Sequence, residues 1–316
     1  MSAPRIPRRA HFIWLGAAFP WVNVLGVRSA ALRGGLERVT LHHDSDLSGT
    51  PHYRELVETE GVDLVRLDAD ALFESAGDMA GALAQAFGRA QLPAVRSDLL
   101  RLALLYAHGG IYLDTDTITI APLDDLCEGV EAFCGAEHIV FPSQVRASRN
   151  PAIRGLALAR SLVRDALRRV PRGYRAFAAI QRFYPSALNN AVLGSAPRGA
   201  FITRLLSSLI ELPAARQATL FAIGPHLLQS AAADFAPPAL RVLPPAFFYP
   251  LGPQICEHWF RSHRSPDLTR VLSAQTRVVH WYRSNRTEWL TPLIDPAYVH
   301  AHADRQLWSA LARPFV

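Results

Sequence analysis

"SDLLRLALLYAHGGIYLDTDTITIAPLDDL", residues Ser97 to Leu126, is apolar for most of its length and then sets two carboxylates, Asp114 and Asp116, on either side of a single threonine. Asp98 to Ala107 is apolar almost all round, the pattern of a buried helix, and Gly109-Gly110 supplies a helix stop. Ile111 to Leu113 reads as a buried strand. The two aspartates therefore fall at a strand end and point to the same side, because Cβ direction alternates along an extended chain. Only Asp98 and Arg101 charge the preceding helix, three residues apart on one face. Carboxylates in such surroundings must be paired, hydrogen-bonded or bound to a metal.

Upstream, "AHFIWLG" (Ala10 to Gly16), "VTLHHD" (Val39 to Asp44) and "VDLVRL" (Val62 to Leu67) read as strands, the last with period-two alternation. A helix fits between the first two, and an alanine-rich helical stretch runs to about Ala90. Strand, helix, strand, helix at this spacing predicts an α/β fold with a mostly parallel sheet, whose ligands gather at the carboxyl ends of its strands. Downstream come "ALNNAVLG", a helix start at "GPHLL", a proline-rich "LPPAFFYP" and an apolar strand "RVVHWYRS" carrying His280. No internal repeat or low-complexity linker separates these parts, so one catalytic domain with a helical insertion is expected.

The chain of 316 residues carries 33 basic side chains, all arginine, a formal charge of +6 and no lysine, so any chemistry that needs a lysine is excluded. Ten of the arginines stand between Arg146 and Arg182 against a single acid, Asp165. Arg160, Arg164 and Arg168 recur every four residues opposite an apolar stripe that includes Leu156, Val163 and Leu167, which predicts an amphipathic helix with a solvated basic face. Cys127, Cys134 and Cys256 form no C-x-x-C pair and suggest neither a disulfide framework nor a zinc site. No window approaches the roughly 20 apolar residues of a membrane span, and the N-terminus lacks a signal-length apolar run. A cytoplasmic protein is expected, at most peripheral at the inner membrane surface.

Two carboxylates at a strand end can hold a divalent cation whose remaining ligands are phosphate oxygens. Mn²⁺ and Mg²⁺ accept both ligand types. Such a cation neutralises a diphosphate leaving group, the help a nucleotide-sugar donor needs when its glycosidic bond breaks.

The frame S-D-x-x-R-x-x-x-L-Y-x-x-G-G-x-Y-x-D-x-D closely resembles the core of the glycosyltransferases known by the DXD-containing sugar-binding region. That GT-A fold group includes yeast mannosyltransferases, bacterial capsular-polysaccharide transferases and, more distantly, the glucosylating clostridial toxins. "IPRRAHFIWLG" looks like the family's opening strand, "NNAVLGSAP" like its N-x-x-x-x-x-x-P helix, "GPHLL" like its G-P-x-x-L, and "VVHWYRSNRTEW" like its C-terminal segment, although longer than the family's compact H-x-x-x-S-W. The arginine-rich region matches nothing in the family.

The resemblance implies one GT-A domain: about 1–142 as the nucleotide-sugar half, about 143–186 as an arginine-rich helical insertion, and about 187–316 as the acceptor-side, closing half. It further implies that Trp14 lies beside the base, that Asp98 and Arg101 bind the donor sugar's hydroxyls with Tyr112 nearby, and that Asp114 contacts ribose and sugar. Asp116 would ligate the metal and His280 would complete its site. Asn190 would touch the sugar and Trp289 the diphosphate. The activity implied is metal-dependent transfer of a hexose or N-acetylhexosamine from a UDP-sugar, with retention of configuration, using Mn²⁺ or Mg²⁺. The acceptor is a hydroxyl of a glycan, lipid, protein or small molecule, and Arg160, Arg164 and Arg168 are the candidate contacts to an anionic one.

"IYLDTDTIT" also satisfies the D-x-D-x-T loop of haloacid-dehalogenase-type phosphatases, in which Asp114 would attack phosphorus and Asp116 act as general acid. Against this stand the motif's distance from the N-terminus, the preceding helix with Asp98 and Arg101, and the missing lysine. A pI near 9.6 and the arginine run also fit a nucleic-acid-binding protein. An aspartate pair repels phosphate unless a metal intervenes, however, and no recognition module is present. A catalytically dead sugar-nucleotide binder is disfavoured by the intact D-x-D frame.

Overall fold

In the computed structural model, residues 5–139, 149–283 and 287–316 are described. The part of the arginine-rich run from Arg146 to Ser148, and the S-N-R of the C-terminal segment, lie outside them. The chain divides into two compact units, 1–135 with 188–243, and 136–187 with 244–316.

The first unit holds most of a seven-stranded sheet of order β3-β2-β1-β4-β7-β6-β8. Its strands are β1 (Arg9–Trp14), β2 (Arg38–His43), β3 (Val62–Arg66), β4 (Gly110–Leu113), β6 (Ala132–His138), β7 (Ser186–Ser195) and β8 (Arg241–Leu243), with short β5 (Thr117–Thr119) after β4. β1 pairs in parallel with both β2 and β4, β2 with β3, and β6 with β8, while β7 runs antiparallel to β4. This is the expected α/β arrangement, with a mostly parallel central sheet flanked by helices. β1 is "RAHFIW", and Ala10, Phe12 and Ile13 are all buried, as befits a strand covered on both faces. β3 shows no buried side at all: it is the sheet edge, and its alternation marks half-solvated residues.

Chain order along the sheet runs 3-2-1 and then jumps to 4, so the topological switch lies between β1, ending at Trp14, and β4, ending at Leu113. Ligands of open α/β sheets gather at such a switch point, at the carboxyl ends of the strands. The helix Pro93–His108 feeds β4. It opens with Pro at its first turn and stops at Gly109, whose φ of 62° is followed by 100° at Gly110.

"NNAVLGSAP" is not a helix. Residues Ser186–Ser195 form β7, paired Tyr112↔Leu193 and Leu113↔Val192, because β4 needs a partner on the side away from β1. The alanine, asparagine and leucine of this stretch carry no strong preference, so the sheet's unmet backbone groups decide. "GPHLL" does open a helix, Pro225–Ala232, with Gly224 as its N-cap.

The second unit contains the helices Pro151–Arg169 and Gly173–Ile180, the strand β9 (Val278–His280) and two C-terminal helices, Pro296–His302 and Leu307–Ala312. Asn150 caps the first of these, accepting from the Ala152 amide at 2.9 Å. Its amphipathicity is the reverse of the expectation. Arg164 and Arg168 have side chains only 12% and 15% exposed, whereas Leu156 and Val163 are exposed. The cause is a matched partner: Arg168 donates to the Gln254 carbonyl at 2.8 Å and pairs with Glu257 at 3.1 Å, and Arg164 donates to the Gln254 side chain at 3.2 Å. No described helix is long and apolar enough to cross a membrane.

Candidate active site

Within the first unit the structure brings Asp98, Arg101, Tyr112, Asp114 and Asn190 together. Asp98 and Arg101 lie one helical turn apart and face β4 from the buried side of their helix. Arg101 donates through Nη1 to Asp98 at 2.9 Å and through Nη2 to Asp114 at 2.8 Å. Its guanidinium also lies over the Tyr112 ring, 4.2 Å from the centroid. The Tyr112 hydroxyl donates to the same Asp114 oxygen at 2.8 Å. Tyr112 is fully buried, so it positions Asp114. From β7, Asn190 donates to Asp98 at 2.8 Å.

Burial is the largest influence on Asp98 and holds its carboxyl above the usual range. The neighbouring Asp114 adds to this, and Arg101 and Asn190 oppose it. Burial alone would lower the Arg101 guanidinium, but Asp114, Tyr112 and Asp98 outweigh it and the net shift is upward. Tyr112 is pushed up, mainly by burial. The cluster thus keeps Arg101 charged, and it orients one carboxylate toward the helix and one toward the strand end.

Asp114 opens a tight turn. Its carbonyl accepts from the Thr117 hydroxyl at 2.7 Å, and its amide donates to the Ala191 carbonyl of β7 at 2.9 Å. Asp116 follows at the turn, partly exposed, with a carboxylate oxygen within 4.8 Å of one on Asp114. Three carboxylates and one guanidinium leave this cluster with a formal charge of minus two. A divalent cation fits that donor set, with Asp116 the accessible oxygen ligand.

Three residues that sequence reasoning missed hold the turn, all on one face of the helix Trp21–Arg33. Asn23 donates to the Thr115 carbonyl at 3.2 Å and to its hydroxyl at 3.1 Å. Ser29 accepts from the Thr119 amide at 3.0 Å. A Cβ at Gly26 would come within 2.6 Å of the Thr115 carbonyl oxygen, so only glycine lets the helix approach. The N-x-x-G-x-x-S spacing in "NVLGVRS" is the signal that would have found them. Gly224 plays the same part beside the charges, since a Cβ there would meet Asp98 Oδ2 at 2.6 Å and Asn190 Nδ2 at 2.8 Å.

Trp14 ends β1 at the switch point, partly buried, with its ring edge-on to Phe19 at 4.9 Å. His280 and Trp289 belong to the second unit. His280 is buried on β9, its ring 4.0 Å from that of Tyr282 and 5.9 Å from that of Tyr249. Trp289 is 68% exposed.

Residues 37–131 match the profile of a family described as the glycosyltransferase sugar-binding region containing the DXD motif. No curated protein matches the chain. Among solved structures, the PaToxG glycosyltransferase is similar at 16% identity and a TM-score of 0.46, over 73% of this chain and 70% of that one. The UDP-bound glycosyltransferase domain of the YGT toxin is similar at 14% identity and 0.42, over 76% and 80%. Mouse xyloside xylosyltransferase 1 in its apo form is similar at 14% identity and 0.44, over 86% and 96%. Residues 37–131, which hold β2 to β5 and the Asp98-Arg101-Asp114-Asp116 cluster, are thus similar to the DXD-containing sugar-binding region of glycosyltransferases.

Proposed function

We propose that the chain transfers a hexose or N-acetylhexosamine from a UDP-sugar to an acceptor hydroxyl, with a divalent cation, Mn²⁺ or Mg²⁺, and with retention of configuration. The observation that carries this reading is the Asp98-Arg101-Asp114 cluster next to an accessible Asp116, at the carboxyl ends of β1 and β4. Its residual negative charge repels a bare diphosphate and suits one bridged by a cation. The cation would supply charge neutralisation at the leaving diphosphate, with Asp116 as its protein ligand.

Asp98 and Arg101 bind sugar hydroxyls, Asp114 contacts ribose and sugar, and Asn190 holds Asp98 and the sugar. Trp14 lies against the base. In the transfer, the bond from C1 to the diphosphate oxygen breaks with its electron pair leaving on that oxygen. The acceptor oxygen forms the new bond to C1 on the same face, and its proton passes to the departing phosphate. No general base opposite the sugar is required.

Thermal-shift screening of nucleotide sugars with and without Mn²⁺ tests the donor, because a ligand bound to the native state raises its stability with occupancy. A UDP-sugar should raise the midpoint only with Mn²⁺, and Asp116→Asn should abolish that rise while leaving the ligand-free midpoint in place. An unaltered Mn²⁺-dependent rise in Asp116→Asn would remove the metal assignment. An inverted product anomer by NMR would remove retention.

A further inference from the structure

The helix Pro151–Arg169 turns Ala157, Arg164 and Arg168 inward, and its opposite face is aliphatic and open to solvent. Leu156 is 52% exposed, Leu162 61%, and Leu158 and Val163 are exposed beside them. Ala152, Gly155, Ala159 and Ala166 fill the spaces between these side chains, so the stripe is free of charge over most of the helix. Val170, next after the helix, and Phe183 in the same unit are also exposed apolar side chains. An apolar face of this extent, turned to solvent, marks an interaction surface.

The exposed charges on the helix and in the segment that follows it identify what the stripe meets. Arg154, Arg169, Arg172 and Arg182 are all exposed, and Arg182 lies 4.9 Å from the Phe183 ring centroid. The only acid from residue 149 to 183 is Asp165, and it is bound to Arg164 and Arg168. A second copy of the same surface would set arginine against arginine. A nucleic acid would satisfy the arginines but offer nothing to the leucines. We propose that this face docks on an anionic lipid bilayer, the helix lying in the plane of the headgroups with Leu156 and Leu162 among the acyl chains. Guanidinium groups pair bidentately with lipid phosphates, and an amphipathic helix with arginine at its borders is suited to that boundary. The helix and its arginines share no residue with the donor site, so membrane docking and donor binding can each be lost without the other.

Co-sedimentation of the full chain with large vesicles of phosphatidylcholine alone, or with added phosphatidylglycerol, at low and high salt, tests it. Binding should require phosphatidylglycerol and weaken as salt rises. Leu156→Asp with Leu162→Asp, and separately Arg172→Ala with Arg182→Ala, should each lower the partition coefficient by about tenfold or more. Both variants alter exposed side chains, so an unchanged thermal midpoint confirms that each is folded. Absence of wild-type binding to the anionic vesicles overturns the proposal, as does equal binding by the leucine variant. A wild-type dimer in solution that the leucine variant dissociates, without vesicle binding, would assign the face to a second copy. Salt-sensitive RNA binding that the leucine variant retains, again without vesicle binding, would assign the arginines to nucleic acid.

Discussion

Arg101 commits one terminal nitrogen to Asp98 and the other to Asp114, so its loss strands two carboxylates at once. Arg101→Ala should destabilise the protein by about 3–5 kcal/mol in urea unfolding, the cost of leaving buried charges unpaired. Arg101→Lys should recover only part of that, since an ammonium cannot span both carboxylates as the planar guanidinium does. Gly26→Ala forces a methyl group against the rigid Thr115 carbonyl and should cost about 1–3 kcal/mol while weakening Mn²⁺-dependent donor binding, as measured by calorimetry. Wild-type donor affinity in a stable Gly26→Ala protein would show that the turn does not depend on that approach. The four charges of the cluster were legible in the sequence because charge is conspicuous in an apolar run. Gly26 and Gly224 were not, because what matters at each is a missing side chain opposite a segment distant in the chain.

β1 and β2 carry a buried histidine pair behind the donor site. The Gly109 carbonyl can only accept, so His11 donates to it through Nε2 at 3.0 Å, and His11 Nδ1 then accepts from His42 Nε2 at 3.1 Å. Burial pushes His11 down to about 4, with repulsion from His108 and Arg9 adding to it. His42 is pushed down to about 3, again chiefly by burial, with His11, His108 and His43 contributing. The unfolded chain therefore binds protons near pH 6.5 that the folded chain refuses. Stability should be complete above that pH and fall toward pH 4, with a slope approaching about 1.4 kcal/mol per pH unit for each histidine. Urea midpoints at pH 7 and pH 5 check this, and His11→Gln should flatten the slope. Protonation of His11 at Nδ1 removes the acceptor for His42 while its Nε2 still donates to Gly109, so acid should loosen the link between β1 and β2. The strands around this pair were readable from their β-branched and aromatic runs. β7 and the inward face of Pro151–Arg169 were not, since the first is imposed by β4 and the second by the Gln254 carbonyl, 86 residues from Arg168.

Both units are built without covalent staples. Cys127, Cys134 and Cys256 are all buried, and burial pushes Cys127 and Cys134 up to about 12. The native protein should therefore react negligibly with an aromatic disulfide reagent at neutral pH, and all three thiols should react after unfolding. Rapid native labelling would mean that these segments open on the time of the assay. The α/β class was legible from the alternation of strands and helices, whereas the division into units was not, because each is assembled from two separate lengths of chain.

The antiparallel course of β7 also has a temporal meaning. The ribosome delivers Asp98, Arg101 and both aspartates of the turn early, but Asn190 comes later and Gly224 arrives 110 residues after Asp114. At about 5–20 residues per second that interval is roughly 6–22 s. During it the nascent chain carries the charged pair with its last neighbours still unmade, so a truncated product would hold the motif and yet lack the pocket around it.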